Sequence, residues 1–304
     1  MASERAESPR RGVLGAAYCI GALVTLMISL NGQLAQQTSQ AFALVVIHLA
    51  GLSAVIAAFI ITRTPPAVPA NPLPWYFYSG GVIGVFMVFG SNVSFGAVGA
   101  SLTLASGVLG QTAGSLTVDT AGLFGMRKYR FIKEKWSGLA VICLGIFVMA
   151  ETWRIDGIYI ILAMMVGAAT VFQMILNARL ASKIGLFRGV GINYIGGLSA
   201  SVLALMLTGG SIASFSQLDS VPLYLILGGG LLGFIVVTSM NTIVPKIPTF
   251  YSALLVFLGQ ISAGLIIDAL LLGIYSPRRT AGAVLIFIGL MLSVHADRRR
   301  SQPE

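Results

Sequence analysis

The chain has 304 residues, 56% of them hydrophobic and 10% charged, with 36 glycines and a net charge of +9. Its mean hydropathy is +0.90. A soluble domain is about one quarter charged, so a soluble enzyme, a secreted disulfide scaffold and a disordered hub are excluded, and a polytopic helical membrane protein is left.

A membrane-spanning helix needs about 20 apolar residues, and ten such stretches follow one another along the chain. They cover 13–35, 41–62, 75–96, 101–124, 137–153, 157–178, 189–209, 221–243, 249–272 and 280–296. The first follows Arg5, Arg10 and Arg11 and imitates a signal peptide, but its apolar run outlasts an h-region and reads as a retained span. Between the second and third, Thr64-Pro65-Pro66 to Pro72 cannot continue a helix, because proline lacks the N–H and disfavours helix at the residue before it. Between the fourth and fifth, Arg127, Lys128, Arg130, Lys133 and Lys135 crowd one hydrophilic loop, and Arg298, Arg299 and Arg300 follow the tenth.

Basic blocks beside spans are a topology signal rather than a groove for nucleic acid. With the N-terminus in the cytoplasm, only Arg154, Arg278 and Arg279 of the 19 Lys and Arg fall outside, so both termini are assigned to the cytoplasm. Trp75, Trp136 and Trp153 stand at span ends, where amphipathic rings prefer to lie. Cys19 and Cys143 fall inside spans and read as core residues rather than a disulfide.

The two halves of the chain repeat. Leu30-Asn31-Gly32-Gln33-Leu34-Ala35 recurs as Leu176-Asn177-Ala178-Arg179-Leu180-Ala181, and Gly51-Leu52-Ser53-Ala54 as Gly197-Leu198-Ser199-Ala200, at one offset. After the proline loop a slightly larger offset relates Gly80-Gly81 and Gly84 to Gly229-Gly230 and Gly233. It also relates Asn92 to Asn241, Leu109-Gly110-Gln111 to Leu258-Gly259-Gln260, and Asp119 to Asp268. Five spans is an odd number, so the second copy enters the membrane upside down. Inverted repeats place a site near the midplane between two interchangeable states, the geometry of alternating access. The expected fold is therefore all-α, ten transmembrane helices in two inverted five-helix repeats. The repeats cover 13–153 and 157–296, with cytoplasmic tails at 1–12 and 297–304.

Asn241-Thr242-Ile243-Val244-Pro245-Lys246-Ile247-Pro248, Leu258-Gly259-Gln260 and Ile267-Asp268 resemble the YdcZ-like branch of the drug/metabolite transporter superfamily, an EamA-like fold whose single-copy members have five spans. The first copy keeps Gly110-Gln111 and Asp119 but has Ala97-Val98-Gly99 where the family shows a Val-Pro-Arg-like turn. The family's Asp-His pair is replaced by Asp119-Thr120 and Asp268-Ala269, so no role for that histidine carries over. The resemblance implies a fused double copy, a transporter of the bacterial inner membrane.

Asp119 and Asp268 are the acidic residues inside the expected spans, apart from Glu151 at the very end of the fifth. A carboxylate in hydrocarbon costs roughly 2.5–3.5 kcal/mol on insertion scales and normally faces a cavity or a partner. They are the candidates for proton or cation coupling; the competing reading is hydration or pairing near a helix end. Gln111 and Gln260 fall at the centres of their spans, each eight residues before its aspartate, about 12 Å along the axis. They are candidates for substrate binding, against a role as interhelical glue of roughly 0.6 kcal/mol per contact. Asn92 and Asn241 join them as substrate-binding candidates, although helix-end hydrogen bonding also accounts for them, as for Asn31 and Asn177. His48, replaced by Tyr194 in the other copy, is expected to pack rather than relay protons. The paired glycines at 80/84, 110/114 and 229/233 permit close helix approach.

The sequence has no Walker A motif, no Cys/His metal spacing and no nucleophile–base set. No cofactor, metal or enzymatic activity is expected. The expected function is secondary active transport of a small neutral, cationic or zwitterionic solute by alternating access, with efflux in exchange for protons. A passive facilitator of the same fold and a non-transporting scaffold subunit are the rivals. The expected partners are the lipid bilayer and the solute, with a homodimer left open.

Overall fold

The computed structural model describes residues 11–63, 73–123, 135–150, 153–210, 212–243, 249–271, 273 and 275–301. Among them are nine α-helices: α1 (Arg11–Gln37), α2 (Gln40–Thr62), α3 (Gly80–Ala121), α4 (Lys135–Met149), α5 (Trp153–Ile184), α6 (Leu186–Leu207), α7 (Leu223–Ile243), α8 (Thr249–Leu271) and α9 (Pro277–Ser301). Short 3₁₀ turns at Trp75–Ser79 and Ile212–Ser220 precede α3 and α7. Six of these helical segments are long and apolar enough to cross a membrane. Most of the expected N-terminal tail, the proline-rich stretch 64–72, the basic stretch 124–134, residues 244–248 and the last three residues lie outside the described residues, while α9 runs through the first part of the expected C-terminal tail.

α3 has 42 residues and is broken at Gly99, where φ is 81° and ψ is 175°. That region is open essentially to glycine alone. Packing against α5 shows what the break does. Along the first arm, 80–98, Gln173 Nε2 donates to the Gly80 carbonyl at 2.7 Å. Further along the same arm, the Ser94 hydroxyl donates to the Tyr159 carbonyl at 3.2 Å, so this arm runs antiparallel to α5. Along the second arm, 100–121, Gly110 meets Met164 and Gly114 meets Ala168, so this arm runs parallel to α5. The chain reverses at Gly99, and the third and fourth expected spans are the two arms of one broken helix.

α5 lies against both arms of α3, while α1 lies against both α7 and α8. α4 pairs with α9, where Gly138 meets Gly289 and Gly145 meets Gly282, and Ile142 and Ile286 are fully buried. Serine and glycine set the short connections: the Ser39 side chain accepts the Phe42 N–H at 3.2 Å at the start of α2.

The surface is apolar and the interior is partly polar. Ile60, Ile61, Leu203, Leu207 and Leu270 are exposed, while Asn31, His48, Ser91, Asn92 and Gln260 are buried. In water this distribution would leave a large apolar surface uncovered; in hydrocarbon it is the stable one. Cys19 and Cys143, expected in the core, are exposed on α1 and α4. An apolar-range residue in a span serves the lipid face as well as the core, so span membership alone did not locate them.

Candidate functional site

α1, α2, α3, α5, α6, α7 and α8 surround a cavity of about 330 Å³. Gln111 from α3 and Gln260 from α8 both line it, and the Thr25 hydroxyl of α1 holds the Gln260 carbonyl at 2.9 Å. Asn92 lines it from the first arm of α3. None of the described lining residues is an Asp, Glu, Lys or Arg.

The wall is built from equivalent positions of the two sequence copies. Asn31 of α1 sets its amide against Gly229 of α7, and Asn177 of α5 sets its amide against Gly80 of α3. A methyl group at either glycine would run into the amide oxygen, so these glycines admit the asparagines to the wall. The Asn31, Asn177 and Asn193 Oδ1 atoms and both polar atoms of the Asn92 amide are buried without a protein partner. A buried polar group left so costs about 1–3 kcal/mol. Helix-end hydrogen bonding was the expectation for Asn31 and Asn177; both instead lie well inside their helices, with the amide oxygen packed against the facing glycine. His48, expected to pack, does both: Nδ1 lies 2.8 Å from the Leu44 carbonyl of its own helix while the ring forms part of the wall.

Asp268 lies apart from this wall. Its carboxylate accepts the Ala100 N–H at 2.6 Å and the Ser101 N–H at 3.0 Å, as well as the Ser101 hydroxyl. It also pairs with Arg279 Nη1 at 3.1 Å. Arg279 Nη1 in turn donates to the Val98 carbonyl at 3.2 Å. The carboxylate thus satisfies the N–H groups that open the second arm of α3, and the guanidinium satisfies a carbonyl that closes the first. Both are helix ends that would otherwise be bare in an apolar interior. Arg279 belongs here rather than at a hydrated loop, although it is one of the three bases assigned to the outside. Arg278 beside it donates to the Ala150 carbonyl at 3.3 Å, at the end of α4.

Asp119 falls on the last turn of the second α3 arm and Asn241 on the last turn of α7; the side chains of both lie outside those described. The eight-residue spacing from Gln260 to Asp268 separates the glutamine in the wall from the carboxylate at the helix break. Gln173 and Asn193 in the wall were missed because neither is preserved in the other copy, where Met27 and Ile47 stand. Met27 and Ile47 line the cavity too, so position rather than residue type carried the signal.

The family model described as "Putative inner membrane exporter, YdcZ" matches the chain twice, over residues 13–148 and 158–292. A crystal structure described simply as that of a protein superposes on 96% of this chain and 98% of its own, with a TM-score of 0.60 and 13% sequence identity. The likeness is one of fold. No curated protein matches the chain in sequence.

Proposed function

Because the chain belongs to the YdcZ family of inner-membrane exporters and carries two copies of its unit, we propose that it is a secondary carrier that moves a small solute by alternating access. The observation that carries this reading is the cavity between the helices, a largely apolar wall that takes Asn31 and Asn177, and Gln111 and Gln260, from matching positions of the two copies. On this reading each arm of α3 and each other described helix is one crossing, ten in all and five in each copy. An odd number per copy inverts the second against the first, so one site is presented to the two sides in turn. Both termini face the cytoplasm, and the flux is outward.

Asp119 and Asp268 are the proposed coupling groups. Asp268 would act through the helix break it caps rather than by touching the solute, since protonation would weaken its hold on Ala100, Ser101 and Arg279. A second reading, a facilitator without coupling, is favoured by one feature: the described cavity wall contains no carboxylate.

The test is solute-dependent proton flux in proteoliposomes under an imposed pH gradient, across amines, amino acids and neutral metabolites. Proton flux that depends on solute and is lost in Asp119→Asn/Asp268→Asn supports the coupled carrier. Solute movement without proton flux supports the facilitator. No solute movement across the panel, in folded protein, overturns the carrier reading and favours a non-transporting subunit.

A further inference from the structure

We infer that a groove on the outer surface of the bundle binds one anionic phospholipid, through its phosphate and the upper part of one acyl chain. The groove has a volume of about 370 Å³ and shares no lining residue with the central cavity. Four elements form it where they end together. Phe59 comes from the last turn of α2, Tyr78 from the 3₁₀ turn before α3, Ile184 from the end of α5, and Arg188, Ile192 and Ile195 from α6. Its mouth is on the lipid face: Tyr78 and Ile195 are exposed, as are Ile60 and Ile61, which follow Phe59.

Electrostatics select the sign of the ligand. Arg188 lines the groove, Arg63 caps the C-terminus of α2, and Lys183 stands in the last turn of α5 next to Ile184. The sequence has no Asp or Glu from 8 to 118 or from 157 to 218, the two stretches that supply every wall of the groove. Basic pockets between helices at the membrane surface attract anionic headgroups. A guanidinium has five N–H donors, so Arg188 can hold a phosphate as well as a neighbour in the chain. Tyr78 adds a phenol to the same wall.

The order of residues along α6 matches the order of groups along a phospholipid. Arg188, Ile192 and Ile195 share one face at i, i+4 and i+7, over about 10 Å of helix. Charge lies at the helix end and apolar surface lies deeper. Trp75, Tyr76 and Tyr78, all exposed, mark the headgroup level at the start of α3. A soluble anion would satisfy the base and leave the isoleucines uncovered. A zwitterionic lipid would cover the isoleucines but bring its own cation to the basic end. With both termini in the cytoplasm, this end belongs to the cytoplasmic leaflet. The site does not depend on what the central cavity carries.

The test uses the full chain, purified in a neutral detergent and stripped of lipid. Phosphatidylglycerol and phosphatidylcholine with identical acyl chains are added at rising mole fraction. Retained lipid is counted by native mass spectrometry, and unfolding temperature is read on the same preparations. Phosphatidylglycerol should bind at a mole fraction at least about fivefold below phosphatidylcholine, the discrimination that one surface base provides. Arg188→Gln should remove most of this preference and Arg188→Lys should keep it. Lys128→Gln/Arg130→Gln, in the basic stretch, should leave it intact. Glycerol 3-phosphate, which carries the headgroup charge without chains, should not move the unfolding temperature. Phosphatidylglycerol with a photoreactive acyl chain should label 55–61 or 184–195 in the unaltered protein, which decides the location even where an Arg188 variant folds poorly. Equal binding of the two lipids overturns the inference, as does a full response to glycerol 3-phosphate. Loss of preference in the basic-stretch variant but not in Arg188→Gln, or labelling confined to other segments, overturns it too.

Discussion

His48 and Tyr194 occupy equivalent positions in the two sequence copies, and their rings stand 6.1 Å apart between centroids. Each rests on a glycine of the other's helix: the imidazole on Gly197 of α6, and the phenol on Gly51 of α2. The exchange locks α2 to α6 at the edge of the cavity. The locking depends on two missing methyl groups as much as on two rings, because either Cβ would occupy the space a ring now fills.

Gly197→Ala and Gly51→Ala should therefore each destabilise the protein by about 1–3 kcal/mol, the usual cost of overpacking a filled interior. Trimming the opposing ring should relieve the clash. The His48→Ala/Gly197→Ala pair should be less destabilised than the sum of its single variants, and likewise Tyr194→Ala with Gly51→Ala. A double-mutant cycle of unfolding in detergent measures this, and simple additivity would refute the contact.

At the other structural junction, Arg279 and Asp268 should respond as one unit. Asp268→Asn leaves the guanidinium buried without its counter-charge, and removing one member of a buried pair costs about 3–5 kcal/mol. Arg279→Gln leaves the carboxylate uncompensated and should cost a similar amount. The double variant Asp268→Asn/Arg279→Gln should recover part of the loss, because two neutral amides can still bond the ends of the broken helix. Unfolding midpoints of the three variants decide it; a double variant at the sum of the two losses would contradict the pairing.

The positions of the helices were legible in the sequence because lipid demands one simple thing, an apolar run long enough to span it, and prolines and basic blocks mark where runs end. The central glutamines were legible for a related reason: a polar residue at mid-span with a counterpart in the other copy has few places to go. Asp268 was located by the same logic, but its partner was not. Arg279 lies only 11 positions away in sequence and belongs to the next helix, so its pairing depends on how α9 folds back beside α8, which no periodicity encodes. The break at Gly99 was hidden as well. Chain reversal there uses a single glycine and no proline, so the sequence shows two spans but not how they join. Asn193 and Gln173 enter the wall through helix rotation, and nothing in their neighbours announces it.

Gly99 gives a sharper test of that junction. Its φ of 81° with ψ of 175° is a conformation other residues hold at a cost of about 1–3 kcal/mol. A Cβ there would also stand 2.8 Å from Arg279 Nη1 and 2.9 Å from Asp268 Oδ1. Gly99→Ala should lower folded yield and thermal stability more than Gly107→Ala, a glycine of the same helix whose nearest contact would be at 3.8 Å. Similar stability of the two variants would show that the reversal does not depend on this residue.

Gln111 and Gln260 stand at matching positions of the two copies and both line the cavity. Gln111 is half-buried, whereas Gln260 is buried and braced through its backbone by Thr25. If each gives the solute one hydrogen bond, Gln111→Ala and Gln260→Ala should each weaken apparent affinity by about 1 kcal/mol, roughly fivefold. The brace on Gln260 is a contact of the main chain, so Gln260→Ala keeps it and the fold should survive the substitution. Loss of affinity without loss of unfolding temperature is then the signature of a binding role. A fall in unfolding temperature with unchanged affinity would instead make the side chain interhelical glue. Concentration dependence of uptake, measured beside the melting curve of the same preparation, separates the two outcomes for each glutamine independently.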